Sequence, residues 1–281
     1  MARLESEMSL LNSSNPQAEP DPPMGQASLT EFMSPPQYPV TLPSLRGLLV
    51  NLTPLPPYSI FVGSSHDGLP ILVDLRNAEA GSILLLGEPG AGKSRLMQSI
   101  LASGCLINPA RKFRFCALSA NLASPNSAVS QKLLETPHCY KGTSANSNSA
   151  YEIVVELANL VEERRYGRSL GPAILLAIDN LAEVVKSFDV EVLSLLAWLI
   201  KNGPAVQVWT LASLDARKLE DVPSALIDGF GTWLVGRISS LRHNPGLPDD
   251  MLMNAKGLIP GAQFSVYFEE EWVQFWIPEL E

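Results

Sequence analysis

The sequence predicts an α/β fold in which a mainly parallel sheet is flanked by helices. Short apolar runs of strand length recur after residue 60, and longer segments with helical periodicity separate them. The runs show little alternation of polar and apolar residues, which is typical of strands covered on both faces. A glycine-rich loop joins one of these runs to the helix that follows it. With 281 residues, the chain is long enough for one such domain and additional segments.

The N-terminal segment differs in composition from the rest of the chain. Eleven of the 23 prolines precede Tyr58, and proline interrupts both helices and central strands. We therefore expect residues 1–43 to be a mostly disordered, proline-rich tail and residues 44–281 to form one folded domain. We interpret the tail as a tether, and docking of a partner is the alternative.

Six apolar runs are predicted to be strands, and three periodic segments are predicted to be helices. The predicted strands are 70–75, 82–87, 113–118, 173–179, 206–212 and 232–238. The predicted helices are 93–102, 151–165 and 190–201. Residues 261–278 are predicted to form a β-hairpin that turns near Glu269 to Glu271.

Charge and composition exclude several classes of protein. The net charge of −9 argues against coating of nucleic acid by bulk electrostatics, although a local basic patch or pore could bind phosphates. No apolar run reaches the roughly 20 residues of a membrane-spanning helix, and no secretory signal is evident. The three cysteines are an odd number without metal-ligand spacing. We expect a cytoplasmic protein with reduced cysteines and no membrane association.

The glycine-rich loop matches a phosphate-binding motif. Gly87-Glu88-Pro89-Gly90-Ala91-Gly92-Lys93-Ser94 fits G-x-x-x-x-G-K-[ST], and it lies between a predicted strand and a predicted helix, as that motif requires. Glycines let the backbone approach phosphate oxygens, and the N–H groups at a helix start favour anions. Lys93 would neutralise the β and γ phosphates, and the Ser94 hydroxyl would bind Mg²⁺. The predicted ligands are therefore ATP, with GTP as the alternative, and Mg²⁺. The predicted nucleotide-binding residues are Gly87, Glu88, Pro89, Gly90, Ala91, Gly92, Lys93, Ser94 and Arg95.

A carboxylate at the end of a neighbouring strand is the second part of such a P-loop site, where it holds Mg²⁺ and its waters. Asp179 directly follows six apolar residues of the predicted strand 173–179. An unpaired carboxylate at the end of a buried strand is costly, which favours a functional role. We predict that Ser94 and Asp179 hold the metal and that Lys93 and Asp179 are catalytic; a helix N-cap is the alternative role for Asp179.

The position after Asp179 bears on hydrolysis. Motor ATPases of this layout usually carry a glutamate there, whose carboxylate orients and deprotonates the attacking water, but this chain has Asn180. An amide can position water and is a very poor base. Glu183 could supply the base if a helix starts at once. Asn180 and Glu183 are therefore the remaining candidate catalytic residues.

Several short segments, taken in order, carry a resemblance to a known family. Residues 68–87, Thr136-Pro137-His138 and Glu163-Arg164-Arg165-Tyr166 precede the strand that ends in Asp179, and the spacing onward to residues 236–240 also fits. In this order they resemble the FtsK/SpoIIIE branch of the FtsK–HerA superfamily of P-loop DNA-pumping ATPases. The resemblance covers roughly residues 60 to 240.

The resemblance implies a RecA-like core, a homo-oligomeric ring with ATP hydrolysis at the subunit interfaces, and double-stranded DNA in a central pore. A cation from the neighbouring subunit would stabilise charge on the transferring phosphoryl group. Each candidate for that cation is alternatively a solvated surface charge. The candidates are Arg217, Lys218, Arg237 and Arg242. Three arginines lie in the predicted helix 151–165 or just beyond it. They either face phosphates or lie exposed at the helix end, where cations complement the helix dipole. This basic group is Arg164, Arg165 and Arg168.

The chain departs from the family at three places. Asn180 replaces the glutamate, Ser213 and Leu214 stand where the sensor strand has threonine and glutamine, and residues 119–121 replace Asp-Pro-Lys. Two functions follow as alternatives: an ATPase that couples hydrolysis to DNA movement, and an ATP-binding switch or scaffold with impaired hydrolysis. A small-molecule or nucleoside kinase is a third, but no arginine-rich lid is evident after Asp179.

Overall fold

The computed structural model describes residues 42–120, 122, 127–168, 171–239 and 246–280. The predicted N-terminal tail lies outside the described residues, apart from its last two positions. Asn121 and Arg242 also lie outside them.

The described ranges contain ten strands and eight α-helices. The strands are β1 (Ser59–Ser65), β2 (Pro70–Asp74), β3 (Ser82–Gly87), β4 (Phe113–Ser119), β5 (Cys139–Ser144), β6 (Ala173–Asp179), β7 (Val208–Asp215), β8 (Phe230–Val235), β9 (Gln263–Phe268) and β10 (Glu271–Trp276). The helices are α1 (Leu45–Leu52), α2 (Lys93–Ile107), α3 (Gln131–Leu134), α4 (Asn148–Arg165), α5 (Leu181–Val185), α6 (Val190–Asn202), α7 (Ser224–Ile227) and α8 (Asp249–Lys256).

These strands form one sheet in the order β2-β1-β10-β9-β8-β3-β7-β6-β4-β5. From β8 to β5 in that order, every neighbouring pair runs parallel. The other strands extend the sheet as antiparallel neighbours. The predicted mainly parallel sheet is therefore confirmed. Because β7 lies between β3 and β6, the ends of β3 and β6 are separated by about 10 Å, two strand spacings.

Helices cover both faces of the parallel strands. Ile83 and Leu85 of β3 belong to the buried cluster that includes the inward face of α2. Leu84 and Leu86 belong to the opposite cluster, which includes the inward faces of α4 and α6. All four side chains are fully buried, and burial of each stabilises the fold by about 2 kcal/mol. The lack of alternation in β3 therefore reflects burial on both faces.

Three strands differ from the prediction. β2 is a half-buried edge strand that pairs antiparallel with β1, so it is not covered on both faces as its apolar run suggested. β1 and β5 were not predicted, because both contain polar residues and a glycine that interrupt the apolar pattern. In β1 the glycine is required by packing, since a Cβ at Gly63 would lie 2.5 Å from the Phe275 ring.

The helices extend beyond the predicted segments. Helix α2 continues to Ile107, five residues past the predicted end at 102, although glycine disfavours helix interiors. Packing explains the glycine, because a Cβ at Gly104 would lie 2.6 Å from the Phe113 ring. Within the described ranges, no helix combines the length and the apolar character that crossing a bilayer demands.

The C-terminal strands form the predicted hairpin. Glu271 of β10 pairs with Phe268 of β9, and the two residues between them, Glu269 and Glu270, have φ of 49° and 69°. Positive φ at both central positions matches the tight turns that suit the twist of paired strands. The hairpin prediction and its turn near Glu269 to Glu271 are confirmed.

The two ends of the domain meet beside the hairpin. The Leu45 N–H donates to the Glu279 carbonyl at 2.8 Å, and the Glu279 N–H donates to the Pro43 carbonyl at 3.0 Å. These two bonds, called the end seam below, fasten the start of α1 to the segment that follows β10.

Candidate nucleotide-binding site

The phosphate-binding motif forms the turn between β3 and α2. Gly90 and Gly92 have φ of 81° and 100°, a left-handed conformation that glycine adopts without a steric penalty. Gly92 is also close to the backbone of Gly261, because a Cβ at Gly92 would lie 2.9 Å from the Gly261 Cα. The Gly261 N–H donates to the Ala91 carbonyl at 3.0 Å. The loop is thus held from outside by the residues that precede β9.

Lys93 turns back onto this loop. Its Nζ donates to the carbonyls of Gly87 at 2.7 Å and Glu88 at 2.8 Å. Burial lowers the pKa of Lys93; the carboxylates of Asp215, Asp179 and Glu88 oppose that shift, and the charge of Arg217 adds to it. The only cation of the motif is therefore bonded to carbonyls of the loop itself, and a bound phosphate would compete with them for the ammonium group.

The start of α2 offers backbone N–H groups to an anion. Its N-cap, Gly92, provides no side-chain acceptor, and no acidic residue lies in the first turn. The first N–H groups of a helix have no intrahelical partner, so this end favours a phosphate. Ser94 lies in that turn, as predicted.

The Arg95 side chain is bonded to two main-chain carbonyls, and its role in nucleotide binding stays a prediction. Its guanidinium donates to the Gly261 carbonyl at 3.2 Å and the Pro278 carbonyl at 3.1 Å. The side chain, which the sequence placed among the nucleotide-binding residues, therefore fastens α2 to the segments on either side of the hairpin. Its backbone N–H, in the first turn of α2, is suited to a phosphate.

Asp179 stands at the end of β6 and is held by two donors. The Ser213 hydroxyl donates to Oδ1 at 3.0 Å, and the Ala128 N–H donates to Oδ2 at 3.2 Å. The N-cap position of α5 is occupied by Asn180, so Asp179 does not cap that helix. Each carboxylate oxygen has a second lone pair, which leaves Asp179 able to accept a bond from a metal-bound water.

Asn180 adopts a left-handed conformation with φ of 63°. Asparagine tolerates this region better than most residues. Its backbone N–H donates to the Ser213 Oγ at 2.8 Å, and its side chain makes no capping bond to α5. Ser213 therefore fixes Asp179 and Asn180 together.

Glu183 is engaged elsewhere. Its Oε1 accepts from Lys218 Nζ at 2.6 Å and from Lys186 Nζ at 3.1 Å. The hydrogen bonds from Lys218 and then Lys186 lower the pKa of Glu183. A carboxylate bound to two lysines is a weak base, so this geometry does not support Glu183 as a substitute for the missing glutamate.

The structure pairs two of the predicted cations with carboxylates. Lys218 pairs with Glu183, and Arg217 pairs with Asp215 at 2.8 Å. The carbonyl of Arg237 accepts from the Glu88 N–H at 3.0 Å, which places the end of β8 beside the loop. In the basic group of α4, the Arg164 guanidinium donates to main-chain carbonyls. Those carbonyls belong to Pro172, Val206 and Gln207. Arg164 is a structural residue that joins three segments.

Sequence reasoning missed two contacts of the site. Asp215 ends β7 opposite Gly87 in the strand register. The Glu88 carboxylate accepts from the N–H of Ser239 at 2.9 Å and from its hydroxyl at 2.7 Å. Asp215 follows a buried strand in the same way as Asp179, which is the signal that could have found it. No local pattern indicates the contact of Glu88, because its partner lies far along the chain.

The fold is similar to solved structures of P-loop ATPases. The structure of Thermomonospora curvata EccC (ATPases 2 and 3) in complex with a signal sequence peptide matches 87% of this chain and 44% of its own, with a TM-score of 0.64 and 15% identity. EssC (ATPases 2 and 3) from Geobacillus thermodenitrificans matches 88% of this chain and 48% of its own, with a TM-score of 0.65 and 14% identity. The pCW3 conjugation coupling protein TcpA with ATPγS matches 85% of this chain and 70% of its own, with a TM-score of 0.63 and 16% identity.

These similarities confirm the predicted RecA-like fold. The chain spans about half the length of the EccC and EssC structures, at 44% and 48%. The sequence matches no protein-family model and no curated protein.

Proposed function

We propose that this chain is an ATP-binding subunit of the FtsK–HerA type in which hydrolysis is slow, so that the nucleotide serves mainly as a switch. The observation that carries the proposal is an imbalance within the site. The phosphate loop and Asp179 have the groups needed to hold a nucleotide, whereas the next residue is Asn180 and Glu183 is bound to two lysines. Loss of a positioned base reduces hydrolysis by roughly 100-fold to 10,000-fold.

Mg²⁺ fits the oxygen donors of the proposed site. Hydroxyl and carboxylate oxygens are the ligands that this ion prefers, and it usually keeps several waters. Ser94 would bind it directly, and Asp179 would hold its waters through the lone pairs that Ser213 and Ala128 leave available. When bound, Mg²⁺ would neutralise charge on the β and γ phosphates.

A DNA-translocating ATPase is the second candidate function. It is supported by the RecA-like fold and by the order of the family-like segments between residues 60 and 240. Copies of this chain would then form a ring around double-stranded DNA, and a cation of one subunit would complete the site of the next. Among the described candidates for that cation, Arg237 is the one whose side chain forms no ion pair with another described residue.

The test combines nucleotide binding with turnover. Binding of ATPγS and Mg²⁺ is measured by calorimetry, and ATP hydrolysis is measured with and without long double-stranded DNA. Lys93→Ala should abolish binding, because it removes the loop cation. Lys256→Ala, an exposed lysine of α8, is the matched control and should bind as the unmodified chain does.

Three outcomes separate the candidates. Lys93-dependent binding with turnover no faster than the Lys93→Ala background supports the switch. Turnover that rises with DNA supports the translocase and contradicts slow hydrolysis. Failure of the unmodified chain to bind ATPγS contradicts both.

A further inference from the structure

Asp215 and Arg217 form a clamp at the edge of the phosphate loop. The Asp215 carboxylate accepts three bonds from Arg217: from its backbone N–H at 3.1 Å, from Nε at 3.1 Å and from Nη2 at 2.8 Å. The Asp215 side chain is only 14% exposed, whereas that of Arg217 is 53% exposed. The carboxylate is therefore fixed, and the guanidinium is free to exchange partners on its solvent side.

The same arrangement of an aspartate and an arginine occurs once more among the described residues, away from the phosphate loop. At the end of β2, Asp74 accepts from the Arg76 backbone N–H at 2.9 Å, from Nε at 3.0 Å and from Nη2 at 2.8 Å. The clamp is thus a local property of the Asp-x-Arg sequence. The two pairs differ in their place in the sheet. The Asp215–Arg217 pair follows β7, which is the neighbour of β3, whereas the Asp74–Arg76 pair follows the edge strand β2.

The surroundings of the β7 clamp are those of the nucleotide site. Asp215 lies opposite Gly87, the first residue of the phosphate-binding motif. Burial has the largest effect on the pKa of Lys93 and lowers it. The charge of Asp215, which raises that pKa, and the charge of Arg217, which lowers it, have the next largest effects. Glu88 adds to the effect of Asp215 in raising the pKa of Arg217. Both members of the clamp therefore act electrostatically on the loop.

We propose that Arg217 binds the γ-phosphate of ATP held by its own subunit and that Asp215 positions it when no triphosphate is present. A guanidinium fork pairs with two phosphate oxygens as well as with a carboxylate, so the two acceptors compete for it. A triphosphate can take Arg217 from Asp215, and a diphosphate lacks the terminal group to do so. Arg217 thereby favours ATP over ADP, and Asp215 limits that preference because it competes for the guanidinium. The inference rests on the proposed nucleotide binding and specifies how that site discriminates.

The experiment compares ATPγS with ADP. Both affinities are measured by calorimetry with Mg²⁺ for the unmodified chain, Arg217→Ala and the matched control Arg76→Ala. Loss of a charge-assisted fork should weaken ATPγS binding by about tenfold to a hundredfold and leave ADP binding within about twofold. Arg76→Ala should change neither. Equal losses for both nucleotides, or no loss, would overturn the proposal.

Two further variants test the positioning role and the folding of the protein. Asp215→Asn keeps an acceptor for the turn that follows β7 but removes the competing charge, so preference for ATPγS over ADP should increase by a few-fold. Adding Arg217→Ala to it should abolish that gain. Arg217→Lys keeps the charge without the fork and should fall between Arg217→Ala and the unmodified chain. An unchanged ratio in Asp215→Asn contradicts the positioning role.

A mixing experiment separates action within a subunit from action between subunits. Lys93→Ala protein, which cannot bind nucleotide but retains Arg217, is added to Arg217→Ala protein. Recovery of tight ATPγS binding would mean that Arg217 acts on a neighbour, which overturns the proposal. Absence of ATPγS binding in the unmodified chain refutes the proposed function itself, whereas binding that requires Lys93 but ignores Arg217 refutes only this inference.

Discussion

Replacing Ser213 by alanine removes the hydroxyl that fixes the end of β6 to β7. The hydroxyl donates to Asp179 Oδ1 at 3.0 Å and accepts from the Asn180 N–H at 2.8 Å. Ser213 is only 2% exposed, so water reaches the vacated position poorly. Among the described residues, the variant therefore leaves the Asn180 amide without a partner and the Asp179 carboxylate with a single donor, from Ala128.

The expected cost follows from these two bonds. An unpaired buried amide costs about 1–3 kcal/mol, and a bond to a charged acceptor contributes about 1.5–3 kcal/mol. Asp179 and Asn180 are half-buried, so solvent replaces part of both terms and we expect a loss of about 2–3 kcal/mol in the free energy of unfolding. For a domain of this size, that loss lowers Tm by about 4–12 °C. The Mg²⁺ concentration needed for half-maximal ATPγS binding should rise about tenfold, because Asp179 loses an orienting donor.

Thermal unfolding and a Mg²⁺ titration of ATPγS binding measure the two effects. Ser213→Thr keeps the hydroxyl and should preserve most of the stability. Ser99→Ala is the matched control, because the buried Ser99 Oγ has no hydrogen-bond partner among the described residues and its loss should be nearly neutral. An unchanged Tm in Ser213→Ala, or an equal fall in Ser99→Ala, would refute the reasoning.

Three other substitutions have defined outcomes. Asn180→Glu should raise ATP turnover by at least about tenfold, despite about 1 kcal/mol of left-handed strain; unchanged turnover would place the defect beyond that position. Arg164→Ala should lower the free energy of unfolding, measured in urea, by about 2–4 kcal/mol. Arg165→Ala, whose ion-pair partner is exposed, should lower it by less than about 1 kcal/mol, and similar losses would contradict the structural role of Arg164. Gly92→Ala should weaken ATPγS binding more than Gly90→Ala, because only the former meets neighbouring backbone at 2.9 Å; equal effects would exclude that contact as the cause.

The sequence predicted those strands whose environment is uniform. Strands such as β3 and β6 are apolar throughout because helices cover both faces, and an uninterrupted run is easily recognised. β1 and β5 were not predicted, because each includes polar residues and a glycine and because their place is set by pairing with distant segments. Contacts between segments that are far apart in the chain produce no periodic pattern in the sequence of either segment.

The same limit applies to the site. The phosphate loop could be predicted because one contiguous motif encodes it, and Asp179 because an acid ends a buried run. Asp215 was missed because the predicted strand stopped at residue 212, where Ser213 interrupts the apolar run. The engagement of Glu183 depends on Lys218, 35 residues away, and no local pattern reveals such a pairing.

Arg95 links the end seam to the start of the helix that follows the phosphate loop. Arg95 bonds to Pro278, the residue before Glu279, so the start of α2 is one step from the bonds that join α1 to the end of the domain. Local opening of that seam removes an acceptor from Arg95 and loosens the first turn of the helix. A nucleotide that binds only the closed form must lower the population of the open form by mass action. Hydrogen exchange at the amides of Leu45 and Glu279, remote in sequence from the loop, should therefore report whether the loop is occupied.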